Sequence, residues 1–401
     1  MSNRFFLIVF FSCSFLFAQK KDPLKAVNHK AQKHWVDSIY NSMTLKEKVG
    51  QLFVVQLMTK KDNSNLVYKQ ISKHSIGGVI LSNGSPIKTA NTTNKMQSLS
   101  KTPLLIGIDG EWGLKMRIDS TIKFPWNMSL GALKNDLFIE RIGSSIGKHC
   151  KRMGIHINFA PVTDINTNPK NPIIGSRSFG EDKINVTNKS LAYLKGMQSK
   201  GIMGSAKHFP GHGDTSTDSH KTLPIINFSS KRIHDVELFP YKELIKNNLS
   251  GVMVAHMEVP SLERSPRLPS TLSKNIVTKI LKKKLKFKGL VITDAMDMKG
   301  VVDFNKDESA DVNALLAGND ILLMPDDLDQ STISIKKALK SGKLSENRLA
   351  LSVKKILMAK YKAGLNKLND IKLENLKSDL NTEEDKLLFE KLAKNSITLI
   401  K

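Results

Sequence analysis

The sequence predicts an α/β protein folded as a (β/α)8, TIM-like barrel, and three observations carry that reading. Short apolar runs recur eight times and most are β-branched, as strands buried on both faces of a parallel sheet require. Helix-like segments separate most of the runs, the alternation expected of a parallel α/β sheet. Five successive runs end in a charged or titratable residue, at the edge where the loops of such a barrel converge.

Along the chain, the first element lies outside the barrel. Arg4 precedes an apolar run from Phe5 to Ala18, followed by Gln19, Lys20 and Lys21. The run falls short of the roughly 20 apolar residues of a spanning helix. Residues 1–18 are therefore expected to be a secretory signal peptide cleaved after Ala18, which places the chain in the periplasm or outside the cell, with no stable membrane insertion once the signal is removed. Cys13 raises the alternative of lipidation, but Phe10, Phe11 and Ser12 before it fit that pattern poorly. The remaining Cys150 then has no partner for an intramolecular disulfide, and its helix-like surroundings suit a buried structural thiol.

Residues 19–364 are expected to form the barrel. Thr44 with Glu47 three residues later is a capping box that opens a helix. The apolar runs follow: "QLFVVQL" from 51, "IGGVILS" from 76, "PLLIGID" from 103, "IHINFAP" from 155, "IMGSAKHF" from 202, "GVMVAH" from 251, "GLVITD" from 289 and "DILLMP" from 320. The first also reads as a continuation of the helix begun at Thr44. "NIVTKILKKKLK" and "ESADVNALLAG" have helical patterns, and "LSENRLALSVKKILMAKYKAGL" is an amphipathic helix that would complete the barrel at Gly364. Residues 365–401 read as a polar linker and the truncated start of a second α/β domain, with "SITLIK" as a terminal strand lacking a neighbour.

The formal charge of +25 raises the question of an anionic partner. The lysines are spread from end to end, no basic stretch is interleaved with aromatics, and Lys far exceeds Arg, the better reader of bases. A solvated basic surface is expected, and no nucleic-acid partner.

Asp109, Asp164, the pair Lys207–His208, His256 and Asp294 follow the third to seventh runs in turn. One Asp after a strand is an ordinary turn or cap residue. Five chemically competent ends in succession point to an enzyme. The loop "KHFPGHGDTSTDSH" (207–220) starts at the same mouth and contains little that packs a core. Gly211 and Gly213 permit unusual backbone geometry. Asp218 and His220 stand two apart, so one turn can bond the carboxylate to a ring nitrogen and leave the other as an acid or base near neutral pH. Three other readings stay open from these residues alone. They are a metal site of His208, His212, Asp214 and His220, with no standard zinc spacing, a phosphate loop, whose Lys would follow rather than precede the glycines, and a plain surface loop.

With these motifs the chain, from about residue 40 to its end, resembles glycoside hydrolase family 3, in its β-N-acetylglucosaminidase branch. "KHFPGHGDTSTDSH" is similar to the signature of that branch; the family's β-glucosidases lack the Asp-x-His element. "VITDAMDMKG" resembles the nucleophile segment and implies Asp294 as nucleophile rather than the nearby Asp297. "NPIIGSRSFGED" resembles a sugar-binding segment and implies Arg177. "GIDGEWGLKMR" resembles a segment that usually reads Asp-x-Glu-Gly-Gly and implies Asp109 and Arg117 as sugar ligands. Trp112 stands where that pattern has Gly, which changes the subsite's shape and suits stacking on a sugar ring or packing. Lys207 and His208 are expected to hold the sugar, and the strand-end residues Asp164 and His256 to join them; His212 and Asp214 are expected to shape the loop. The resemblance implies a retaining hydrolysis of terminal β-linked N-acetylglucosamine, with peptidoglycan or chitin fragments as substrate and with no cofactor and no metal. Asp294 would form the covalent intermediate, and His220, oriented by Asp218, would act as acid and base. A β-glucosidase, a phosphorolytic enzyme and a non-catalytic glycan-binding barrel remain as alternatives.

Overall fold

The computed structural model describes residues 22–217, 222–302, 304 and 309–397. Among these, eight parallel strands form one sheet: β1 (Phe53–Met58), β2 (Gly78–Ser82), β3 (Leu105–Ile108), β4 (Ile157–Asn158), β5 (Met203–Phe209), β6 (Gly251–Val254), β7 (Leu290–Thr293) and β8 (Leu322–Leu323). Neighbours in sequence are neighbours in space, and β8 returns to pair with β1. The barrel closes where Ile292 bridges Ile321 and Thr293 N–H donates to Ile321 O at 3.1 Å. Every residue of β2 through β8 is buried, which is why these runs carry no polar alternation.

The helices wrap the sheet because each presents an apolar stripe. In Leu137–Arg152, Ile139, Ile142, Ile146 and Cys150 recur at helical spacing and are all buried. Cys150 is thus a core residue, and burial pushes its thiol pKa well up. The capping box forms: Thr44 Oγ1 accepts from Glu47 N–H (3.2 Å), and Glu47 Oε2 accepts from Thr44 N–H (2.7 Å). The helix it opens stops at Gly50, so "QLFVVQL" does supply the first strand.

The C-terminal side holds one element not read in the sequence and one that starts elsewhere than expected. Two helices follow β8: Leu328–Lys340, unread in the sequence, and Glu346–Lys362. The second seals the seam between the two ends of the chain. It packs on the N-terminal helix His29–Ser42, with Lys354 Nζ 2.8 Å from Asp37 and Gln32 Nε2 donating to Met358 O at 2.9 Å. The "SITLIK" strand does not begin where expected. The helix Glu383–Ser396, capped by Thr382 with three acidic residues in its first turn, runs into it and takes Ser396, while residues 398–401 lie outside the described residues. This segment docks on the barrel through Asp385, which accepts from His149 Nε2 at 3.0 Å and from Ser145, both on Leu137–Arg152.

Candidate active site

The sheet fixes where the side chains converge. Parallel strands of one barrel all end at the same mouth, so Asp109 after β3, Lys207 and His208 in β5, His256 after β6 and Asp294 after β7 arrive together.

A buried charge cluster forms first. Lys207 Nζ lies 2.7 Å from Asp109 Oδ1 and 2.7 Å from Glu111 Oε1. Arg177 grips Glu111 with both ends of its fork, Nη2 to Oε1 at 2.7 Å and Nε to Oε2 at 3.0 Å. Arg117 Nη2 donates to Asp109 Oδ2 at 3.0 Å. Burial works to raise the pKa of both carboxylates, but the adjacent cations win and hold them below the usual range: Lys207 and Arg117 for Asp109, Arg177 and Lys207 for Glu111. Both acids therefore stay ionised, and the cluster of two carboxylates and three cations is left with a net positive charge.

Asp164 builds the root of the 207–217 loop. Its Oδ2 accepts from His208 Nδ1 at 2.7 Å, and its Oδ1 accepts from the backbone N–H groups of His208 (3.1 Å) and His212 (2.7 Å). The remaining ring nitrogen, His208 Nε2, accepts from Arg177 Nη2 at 3.3 Å. Asn171 Nδ2 donates to His212 O at 2.8 Å and Asn168 Nδ2 to Thr215 O at 3.2 Å. Gly213 is pressed so close that a Cβ there would sit 1.9 Å from Ile165 O, and Gly211 adopts φ +133. The loop root needs both glycines for these two different reasons.

Asp294 ends β7 with its backbone N–H bonded to Val254 O at 2.9 Å, and its Oδ1 accepts from Ala295 N–H at 2.9 Å. Burial works to raise its pKa, but the imidazoles of His208 and His256, the Ala295 N–H and the Lys207 ammonium outweigh it, so the carboxyl is held below its ordinary value. His256 lies fully buried beside it, with Nε2 donating to Ala295 O at 2.9 Å and Nδ1 paired with Thr271 Oγ1 at 2.8 Å. An ionised, half-buried carboxylate beside a cationic cluster is a nucleophile's environment.

Residues 44–359 match the glycosyl hydrolase family 3 N-terminal domain. The chain belongs to glycosyl hydrolase family 3. It is 34% identical over 372 residues to β-hexosaminidase A of Pseudoalteromonas piscicida, covering 85% of this chain and 62% of that protein. The chain thus spans less than two thirds of that relative's length. Among solved structures it is similar to a family 3 β-N-acetylglucosaminidase from Paenibacillus, with a TM-score of 0.83 and 33% identity over 90% of this chain and 70% of that one. It is also similar to the β-glucoside phosphorylase BglX bound to 2FGlc, with a TM-score of 0.88 and 26% identity over 93% and 68% of the two chains.

Within this family 3 barrel, the structure brings Asp109, Arg117, Arg177, Lys207, His208 and Asp294 to one mouth. Asp164 and His256 lie enclosed behind them, with their side chains bonded to the 208–212 turn and to the Asp294–Ala295 turn. Glu111 is the residue that the sequence reading passed over, although it holds both Arg177 and Lys207. The signal was present as the Glu of Asp109-Gly-Glu, an acid two residues after the strand-end Asp109. Asp297 is exposed beyond the strand end. Asp218 and His220 lie outside the described residues.

Proposed function

We propose that the chain is the catalytic barrel of an exported, retaining β-N-acetylhexosaminidase that releases terminal β-linked N-acetylglucosamine from peptidoglycan- or chitin-derived oligosaccharides. The observation that carries the reading is the ionised Asp294 at the end of β7, within electrostatic reach of Lys207 and His208. In this scheme an Asp294 oxygen attacks the anomeric carbon as the glycosidic bond breaks, giving a glycosyl ester. His220, oriented by Asp218, delivers its proton to the departing oxygen and then takes one from the water that cleaves the ester. The usual retaining pair of carboxylates is thereby replaced by one carboxylate and one imidazole. Arg117, Arg177, Asp109, Lys207 and His208 supply donors and acceptors for the sugar hydroxyls and the acetamido group. The hexosaminidase and N-acetylglucosaminidase named among the relatives support this substrate class. Export rests on the Arg4-to-Ala18 pattern, and protein isolated from its host is expected to begin near Gln19.

The likeness to a β-glucoside phosphorylase favours testing phosphate as the acceptor in place of water. Initial rates on an aryl N-acetylglucosaminide and an aryl glucoside, each with and without phosphate, separate the readings. The N-acetylated substrate is expected to turn over faster and phosphate to leave the rate unchanged. His220→Ala is expected to cost about 10²–10⁴-fold on poor leaving groups and less on acidic phenols. Preference for the glucoside, or acceleration by phosphate with sugar phosphate as product, would replace the proposal.

A further inference from the structure

Trp112 and Trp126 pack against each other with ring centroids 4.1 Å apart and planes tilted by 48°. Trp126 is 38% exposed and Trp112 half-buried, so the pair keeps aromatic surface open to solvent. Their place in the chain ties them to the sugar-binding charges from two sides. Trp112 follows Glu111 directly, and its carbonyl accepts from Phe124 N–H at 3.2 Å. Trp126 precedes Asn127, whose Nδ2 donates to Arg177 O at 2.8 Å. The two indoles are thus delivered by the two segments that flank the Glu111–Arg177 ion pair: Trp112 is the residue after Glu111, and Trp126 precedes the Asn127 that holds the Arg177 carbonyl.

We propose that Trp112 and Trp126 form the subsite for the aglycone sugar, the pyranose that leaves when the N-acetylglucosaminyl bond breaks. This rests on the hydrolase reading above and adds what that reading lacks, a place for the second ring of the substrate. Pyranose rings have an apolar face of axial C–H groups, which suits the electron-rich face of an indole. Lys123 Nζ, 5.1 Å from the Trp126 ring centroid, steadies the ring and gives a donor for a hydroxyl of the stacked sugar. The area favours a sugar over a protein. Two indoles and the neighbouring exposed Met128 offer at most a few hundred Å². A stable protein interface buries about 1,200–2,000 Å².

The test compares two substrates of the intact chain. N-Acetylglucosaminyl fluoride has a leaving group with no ring, and the β-1,4-linked N-acetylglucosamine disaccharide has a pyranose. Trp126→Ala and Trp112→Ala, each checked by thermal melting, are expected to lower kcat/KM on the disaccharide roughly 10–100-fold while changing the fluoride by less than about two-fold. Trp126→Phe should keep most of the disaccharide activity. Equal losses on both substrates, or none on either, would overturn the subsite. So would an unchanged disaccharide rate accompanied by loss of a dimer in sedimentation, which would assign the patch to a second copy. If the wild-type chain turns over neither substrate, the hydrolase reading fails instead. The subsite is then decided by disaccharide binding to the intact chain, read by tryptophan fluorescence: loss of binding in Trp126→Ala supports it, and unchanged binding removes it.

Discussion

The mouth and the floor of this barrel are built from the same ingredients and do different work. At the floor, Asp320 at the entry to β8 faces three cations: Lys355 Nζ at 2.5 Å, Lys282 Nζ at 3.7 Å and Arg348 Nη1 at 3.8 Å. At the mouth, Asp109 and Glu111 face Lys207, Arg117 and Arg177. The donors differ in what they have left. Arg348 uses its three nitrogens on Leu315 O, Asn319 O and Ser352 Oγ, and Lys355 also reaches Gly289 O. Arg177 is as fully engaged as Arg348, by Glu111, Ile173 O and His208, but Arg117 makes one side-chain bond among the described residues, to Asp109, and its Nε has no partner there. A buried charge cluster whose donors are all consumed by the protein itself ties elements together. One with donors left over is prepared for a ligand.

The sharpest way to break the comparison is Asp294→Asn. Losing the attacking charge at the mouth is expected to lower kcat by roughly 10³-fold or more with little change in the melting temperature. Near-normal turnover would move the nucleophile elsewhere.

Asp320→Asn should give the opposite pattern. It leaves three floor cations without their carboxylate, and Lys282, already lowered by burial to a pKa of about 8 despite Asp320, would lose its main support. Stability is expected to fall by on the order of 3 kcal/mol, because removing one partner of a buried pair strands the other. The activity of the protein that remains folded should be unchanged. Urea titration with parallel rate measurements checks both halves, and a lost rate at full stability would erase the distinction between floor and mouth.

The smallest effect concerns pH. His212 is buried at the mouth, and its Nε2 has no partner among the described residues. Burial, with help from His208, lowers its pKa to about 4 from an ordinary 6.5. Between those values the unfolded chain binds a proton that the folded chain refuses. The stability present above pH 6.5 is therefore lost as pH falls towards 4, by up to on the order of 3 kcal/mol. Asp320, held far below its usual range, adds slope only at the acid end of that window, where the unfolded carboxyl starts to take up protons. Urea midpoints at several pH values should show the slope in the wild type and a flatter profile in His212→Gln. A profile that is unchanged by the substitution would assign the acid sensitivity to another group.

How much of this was legible in one dimension depends on the kind of interaction involved. Strands buried on both faces must be apolar throughout, so all eight were readable, and their common direction brought the residues that follow them to one mouth. The capping box at Thr44 is a contact between residues three apart and could be read locally. The first helix after β8, Leu328–Lys340, was not read, because its apolar residues only acquire meaning against the shell that they cover.

The sequence by itself determined the barrel, the family, and the placement of Asp109, Lys207, His208 and Asp294 at its mouth, since strand polarity follows from patterning. Only the tertiary structure decided what each side chain does there. Asp164 and His256 occupy the same kind of strand-end position as Asp294, yet both are sealed under loops and hold backbone and rings in place. Glu111 meets Arg177, 66 residues away, and Lys207 across the barrel. The physical reason is the range of the forces. Periodicity reports burial along one strand, whereas the pairing of a buried charge is set by whichever distant segment brings the counter-charge within about 3 Å.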